Sequence, residues 1–179
     1  MDPQVLIVTS SVVSTQLVTK VSAKVLIPAG MLIAAAGMYL LTFVDLSGGY
    51  VAHILPGLLV LGLGMGMVFA TGFGLATLGV QASDSGVASA TVNTMQQVGG
   101  SVGTALLNTI AATAATSYAT SHLGSGPAQL VAANAAIHSY TTSFWWATGI
   151  FAVGALISAL VLRPGVPQFE DELAGAVVL

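Results

Sequence analysis

The sequence has no cysteine and very few charged residues. Its 179 residues include three lysines or arginines and six aspartates or glutamates, so charged side chains make up 5% of the chain, against roughly 25% in an ordinary soluble domain. The missing cysteine excludes disulfides and thiolate metal sites, and the scarcity of basic residues excludes a nucleic-acid-binding face. Too few polar side chains remain to cover a soluble fold, so the composition also excludes a cytosolic enzyme.

What the sequence does contain is long uncharged stretches. Hydrophobic residues make up 55% of the chain, and the mean hydropathy is +0.94. A helix needs about 20 apolar residues to cross the hydrocarbon core of a bilayer. The stretches between the charged positions therefore predict an all-α, polytopic transmembrane helical bundle with about five spans, near residues 3–19, 25–44, 53–77, 88–116 and 140–162.

The basic residues predict the orientation of this bundle. With five spans, Lys20, Lys24 and Arg163 all fall on one side, which the positive-inside rule makes cytoplasmic. The short acidic tail over 164–179 is then cytoplasmic, and residues 117–139 form an outer loop whose Ala-rich run is predicted to make an interfacial helix turn. A first span that starts outside without a basic leader is natural for the back end of a longer protein.

The third span is rich in glycine. Gly62, Gly66, Ala70 and Gly74 recur every four residues, and such a face lets helix backbones approach closely in lipid. Two interpretations stay open at this stage. The face serves tight packing alone, or the helix flexes beside a cavity in which Thr71 offers a polar handle.

A stripe of polar and small residues runs down the fourth span. Its members recur at spacings of four, three, four and four residues, which places them on one helix face. They are Asn93, Gln97, Gly100, Thr104 and Asn108. Amide side chains do not face lipid cheaply, so the stripe must meet protein or water. Interhelical hydrogen bonds and the lining of a solvent-filled pathway both fit it.

The sequence predicts neither catalysis nor a bound cofactor. No ionisable residue lies at membrane depth in the last four spans, and no base accompanies the many serines and threonines, although catalysis needs a nucleophile paired with a base or a group of metal ligands. His53, His122 and His138 fall near the outer surface at spacings that fit no helix-borne metal pair. We therefore expect no enzymatic activity, no metal and no cofactor.

The fourth span, GVASATVNTMQQVGGSVGTALLNTIA, resembles the penultimate helix of the fourteen-helix drug:proton antiporter family of the major facilitator superfamily. The family pattern runs Gly-x-Ala-Ser-x-x-x-Asn-Thr, followed by an Arg-Gln or Gln-Gln pair and Val-Gly-Gly. The matching residues here are Gly86, Ala88, Ser89, Asn93, Thr94, Gln97, Gly99, Gly100 and Gly103. Met95 and Gln96 stand where many members have a variable residue and an arginine.

Other segments extend this resemblance over essentially the whole chain. GLGMGMVFATGFG is similar to the preceding helix of the family, YTTSFWWATGIFAVGALISALVLRP to its final helix, and STQLVTKVSAKVLIPAG to a cytoplasmic loop of the superfamily. The resemblance implies the last five helices of fourteen, as an incomplete C-terminal half of a major-facilitator-type fold.

The resemblance also implies a function, that of a C-terminal fragment of a proton-coupled multidrug efflux transporter in the cytoplasmic membrane. Its partners would be the lipid bilayer, the remaining N-terminal helices, small apolar or cationic compounds and protons, with no nucleic acid. The third span would line the central cavity, and the fourth would lie between the two halves. The family's coupling residues are in its N-terminal half, so this chain alone is not expected to transport.

A different class of function stays open beside the transporter. A small helical membrane scaffold or oligomeric subunit, associating through its glycine faces without transport, has the same composition. An authentic start of translation at Met1 would distinguish this alternative from a fragment.

Overall fold

A computed structural model describes residues 22–44, 53–77, 80–81 and 83–162; the predicted first span at 3–19 and the tail at 164–179 lie outside them. Four helices follow one another in this part: α1 Ala23–Leu41, α2 Leu55–Thr77, α3 Ser85–Ser121 and α4 Ala128–Val161. All four are long and apolar enough to cross a membrane, and the described residues contain no strand. The predicted all-α membrane bundle is confirmed.

The last two helices are longer than the predicted spans. α3 has 37 residues and α4 has 34, which makes them about 55 Å and 51 Å long, against a hydrocarbon core of about 30 Å. The prediction of an outer loop over 117–139 is therefore wrong for most of its length. The Ala-rich run after Pro127 begins α4, because alanine is the best helix former and neither glycine nor proline interrupts the run before the apolar span.

The helices pack side by side in the order α2, α1, α4, α3. α1 lies between α2 and α4, α4 also packs along α3, and α2 touches α3 only slightly. The predicted site residues are on α2 and α3. They therefore lie on the two outermost helices of the described part.

The tightest packing is a seam between α1 and α2. A Cβ built at Gly64 would lie 2.5 Å from the carbonyl oxygen of Gly30, and one built at Gly37 would lie 2.9 Å from the carbonyl oxygen of Gly57. Real Cβ atoms do not approach backbone this closely, so the two helices touch backbone to backbone. In lipid, where helices gain little from the hydrophobic effect, this close van der Waals contact drives their association.

The seam does not use the face of α2 that the sequence singled out. Gly62 and Gly66 have open space where a Cβ would go, whereas Gly57, Gly64 and Thr71 are the buried residues of α2. These three are seven residues apart, the spacing that keeps contact between two packed helices. The four-residue period of Gly62 and Gly66 follows a different side, nearly opposite the seam at about 100° per residue.

The two classes of glycine predict different responses to a single methyl group. We expect Gly64→Ala to lower the free energy of unfolding by about 1–3 kcal/mol, because its Cβ would overlap the α1 backbone. Gly66→Ala, the matched control on the open face, should leave stability unchanged or raise it by up to about 1 kcal/mol through helix propensity. Denaturant titration in detergent, followed by far-ultraviolet circular dichroism, measures the free energy of unfolding of both variants. Equal effects would show that α1 and α2 do not touch backbone to backbone at Gly64.

Candidate functional site

The polar stripe of α3 lies open. Asn93, Gln97, Gly100, Thr104 and Asn108 are all exposed, and no residue of α3 is buried. Within the described residues, the amide groups of the two asparagines and the glutamine have no hydrogen-bond partner. Their donors and acceptors therefore stand uncovered along about 22 Å of a membrane-spanning helix.

The other described helices do not cover the stripe, whose five residues are all exposed. Between α3 and α4, Thr109, Ile110, Thr113 and Ala114 of α3 line a cavity of about 370 Å³ together with Thr142 and Trp146 of α4. At about 100° of rotation per residue, Thr109 and Thr113 lie opposite the stripe, whereas Tyr118, which is beside His138, lies on the same side of α3 as Gly100. The amide groups are therefore uncovered although α3 contacts α4 near the hairpin.

The hydroxyl groups on the cavity side of α3 are satisfied locally. Thr109 Oγ1 donates to the carbonyl oxygen of Ala105 at 2.9 Å, and Thr113 Oγ1 donates to that of Thr109 at 2.8 Å. A hydroxyl that bonds to its own helix presents mainly its methyl group to its surroundings. Threonine is therefore compatible with an apolar contact here, in contrast to the open amides.

On α2, the predicted residues do not all face one way. Gly62 and Gly66 are exposed and Gly74 is partly exposed, so this glycine face is largely uncovered. Thr71 is only 3% exposed and lies on the seam side with Gly64. The structure therefore separates Thr71 from the glycine face that the sequence placed beside it.

The side chain of Thr71 is unusual because its buried hydroxyl oxygen has no hydrogen-bond partner. Thr91 and Thr148, by contrast, donate to the carbonyl oxygen four residues earlier, at 2.9 Å and 2.8 Å. A buried hydroxyl left unpaired costs about 1–3 kcal/mol. The unpaired hydroxyl of Thr71 therefore destabilises the packing of α2 at this position.

A ring cluster that the sequence did not reveal closes the α3–α4 hairpin. The Tyr118 ring stacks on His122 with 4.1 Å between centroids and lies 5.2 Å from His138, and His122 Nδ1 is 2.9 Å from the Tyr118 carbonyl oxygen. The spacing of Tyr118 and His122 is visible in the sequence, but His138 joins them only because the expected loop is helical. The described residues contain no group of three potential metal ligands.

Formal charge is confined to the ends of the described helices. Lys24 is the second residue of α1, and Asp84 directly precedes α3. Between Asp84 and Arg163 the sequence has no acidic or basic residue apart from histidine. α3 and α4 therefore bring hydrogen-bonding groups but no carboxylate or amine to the depth of the membrane.

The unpaired hydroxyl predicts that Thr71→Val stabilises the chain. Valine keeps the shape and removes the unsatisfied group, so we expect the free energy of unfolding to rise by about 1 kcal/mol. Thr148→Val is the control, because that hydroxyl already donates to Phe144, and should bring no gain. Denaturant titration measures both variants; a loss of stability in Thr71→Val would mean that the hydroxyl has a partner in the assembled protein.

Comparison with known proteins finds relatives in Streptomyces. Over 171 residues the chain is 36% identical to a puromycin resistance protein of Streptomyces alboniger, an alignment that covers 94% of this chain and 33% of the relative. Over 84 residues it is 37% identical to a probable actinorhodin transporter of Streptomyces coelicolor, covering 45% of this chain and 14% of that protein. No protein-family model and no solved structure matches the chain.

The chain matches only part of each relative. The chain spans about a third of the length of the puromycin resistance protein, so most of that protein has no counterpart here. The two relatives are named for puromycin resistance and actinorhodin transport. Four helices long and apolar enough to cross a membrane are consistent with a membrane transport protein. The chain is thus a multi-pass helical membrane protein whose relatives support the drug-efflux group of the major facilitator superfamily indicated by its α2, α3 and α4 motifs.

Proposed function

We propose that the chain is the C-terminal part of a drug:proton antiporter of the fourteen-helix family, located in the cytoplasmic membrane with its C-terminus in the cytoplasm. The observation that carries this proposal is the open amide stripe of α3. Hydrocarbon cannot satisfy amide groups, so the stripe calls for further protein or a polar pathway beside it. Relatives about three times longer than the chain, one a resistance protein and one a probable transporter, support the same conclusion.

In this proposal α2 and α3, the two outermost helices, contribute the functional residues, and α1 and α4 pack between them. The open glycine face of α2 and the amide stripe of α3 would shape a substrate cavity and the boundary with the other half of the transporter. Met65 and Phe69 on α2 would offer an adaptable apolar surface, which suits a site that accepts several compounds. Met67, expected to share this surface, lies beside Gly30 of α1. Apolar or cationic compounds the size of puromycin are the proposed cargo.

Proton coupling would depend on residues elsewhere in the polypeptide. α3 and α4 carry no carboxylate or amine at membrane depth, and proton relays in transporters use embedded ionisable groups. Alternating access also needs two halves that move about a central site. The chain by itself is therefore not expected to transport.

The first experiment measures the molecular mass of the protein as it occurs in its source membrane. An antibody against residues 168–179 should detect, in the source membrane, a band roughly three times the 17.9 kDa of this chain, following the length ratio to the puromycin resistance protein. A band at 17.9 kDa would instead favour the small scaffold that associates without transport.

The second experiment is puromycin export by the complete polypeptide. Cells without their own exporters should accumulate less puromycin when they express it, and a protonophore should abolish the difference. Export that survives the protonophore would overturn antiport with protons but not efflux itself. Accumulation that does not change would overturn the proposed cargo.

The stripe predicts a specific loss of export. Asn93→Leu and Gln97→Leu should each lower puromycin efflux about three- to fifteenfold, because membrane-embedded polar contacts are worth about 0.6–1.7 kcal/mol each and 1.4 kcal/mol is tenfold. Thr91→Val is the control on another side of α3, since its hydroxyl bonds to Val87 within the helix. Efflux is measured at equal protein levels in the membrane. Full activity of both leucine variants would show that the stripe does not take part in transport.

A further inference from the structure

The cavity between α3 and α4 has an apolar wall, although half of its lining residues are threonines. Its volume is about 370 Å³, and its lining consists of Thr109, Ile110, Thr113, Ala114, Thr142 and Trp146. Each of the three threonine hydroxyls donates to a carbonyl oxygen of its own helix, that of Thr142 to His138 at 2.7 Å. The threonines therefore present mainly their methyl groups to the space between the helices. We call this space the α3–α4 cavity.

The ring of Trp146, on the wall of the α3–α4 cavity, has no aromatic neighbour. The adjacent Trp145 packs edge-on against Tyr39 of α1, with 5.4 Å between ring centroids. Trp146 is 56% exposed, and in the part of the chain that the structure describes it makes no contact with another aromatic ring. One of the two tryptophans thus belongs to the packing of the bundle, and the other is available to a ligand.

We propose that the α3–α4 cavity binds a small neutral aromatic compound of one or two rings, which stacks on Trp146. Aromatic rings in stacked or edge-to-face pairs attract each other beyond the effect of the area that they bury. The volume of the cavity is near the lower end of the range for ligand pockets, about 300–1,000 Å³, and dry apolar cavities in proteins bind molecules such as benzene. The site is built from α3 and α4 alone, so it does not rest on the proposed transport function.

The chemistry of the lining favours a neutral compound over an ion. The sequence has no carboxylate between Asp84 and Arg163, so a cation in the cavity would lose its hydration without gaining a counterion, which is costly. The three hydroxyl protons are already donated to helix carbonyls. Among the lining side chains only the indole N–H of Trp146 can still donate, and one neutral donor does not replace the hydration shell of an anion.

The shape of the cavity favours a compact ring over a lipid chain. Its lining covers residues 109–114 of α3 and 142–146 of α4, which correspond to about 8 Å and 6 Å of helix. A lipid chain extends through one leaflet, about 15 Å or half of the hydrocarbon core. The described residues that line the next cavity along α4, of about 650 Å³, all belong to α4. The space that both helices line is therefore too short for an extended chain.

Photolabelling of the complete protein in its own membrane tests the site. An iodinated naphthyl azide is a neutral two-ring probe that dissolves in the bilayer and attaches to nearby side chains on illumination. We expect it to label residues 109–114 and 142–146, and excess naphthalene to lower this labelling about tenfold by mass action at a saturable site. Labelling of Leu160, which is 75% exposed and outside the cavity lining, should hardly change.

Two outcomes of the photolabelling would overturn the proposal. If naphthalene lowers labelling at the cavity no more than at Leu160, lipid fills the cavity and the probe binds there without a site. If neither cavity segment is labelled, another part of the polypeptide covers it. Puromycin export by the same protein is measured separately, so failure of this inference and failure of the proposed function are distinguishable.

The two adjacent tryptophans provide matched variants for the same assay. Trp146→Leu removes the stacking partner and should weaken the competition by naphthalene about two- to tenfold, as expected for one aromatic pair, whereas Trp145→Leu should leave it unchanged. Ala114→Leu fills the cavity and should abolish the competed labelling, whereas Ala112→Leu, at an exposed position of α3 outside the lining, should not. Equal effects of the two tryptophan variants would also overturn the proposal.

Discussion

Hydrocarbon offers no partner for a hydrogen bond, and this constraint orders the whole chain. α1, α2 and α4 satisfy it with backbone hydrogen bonds inside each helix and with apolar or glycine contacts between helices, apart from the unpaired hydroxyl of Thr71 on α2. Threonines on α3 and α4 meet it by donating to their own backbone. The amides of α3 do not meet it within the described residues. The threonines of α3 can therefore face apolar neighbours, whereas its amide side chains need another protein segment or a polar pathway beside them.

Glycine has two separate uses in these helices. At Gly37 and Gly64 a side chain would collide with the backbone of the neighbouring helix, and at Gly57 it would collide with the side chain of Leu41, so glycine is required for α1 and α2 to touch. At Gly62, Gly66, Gly99 and Gly103 nothing in the described structure requires it. Because glycine weakens a helix, its retention at the second set needs another reason. Contact with a further helix or movement beside a cavity would supply one.

The membrane-spanning helices could be predicted from the sequence, but the contacts between them could not. Long uncharged stretches predict the spans because bilayer thickness fixes their length, and the amide stripe is a property of one helix alone. The α1–α2 seam was missed because several glycine periods coexist in α2, and only the partner helix selects the one that starts at Gly57. The sequence predicted a loop over 117–139 between the last two helices, whereas the turn needs only residues 122–127. The uncovered state of the stripe, finally, is visible only in three dimensions.

The confinement of Lys24 and Asp84 to helix ends has an electrical consequence. A unit charge that crosses the full membrane potential gains or loses about 2.3 kcal/mol per 100 mV. α3 and α4 carry no acidic side chain, lysine or arginine between Asp84 and Arg163, so a shift or tilt of this hairpin within the bilayer moves almost no charge through the field. Membrane voltage would do little work on such a motion, and any voltage dependence of the complete protein would originate in other helices.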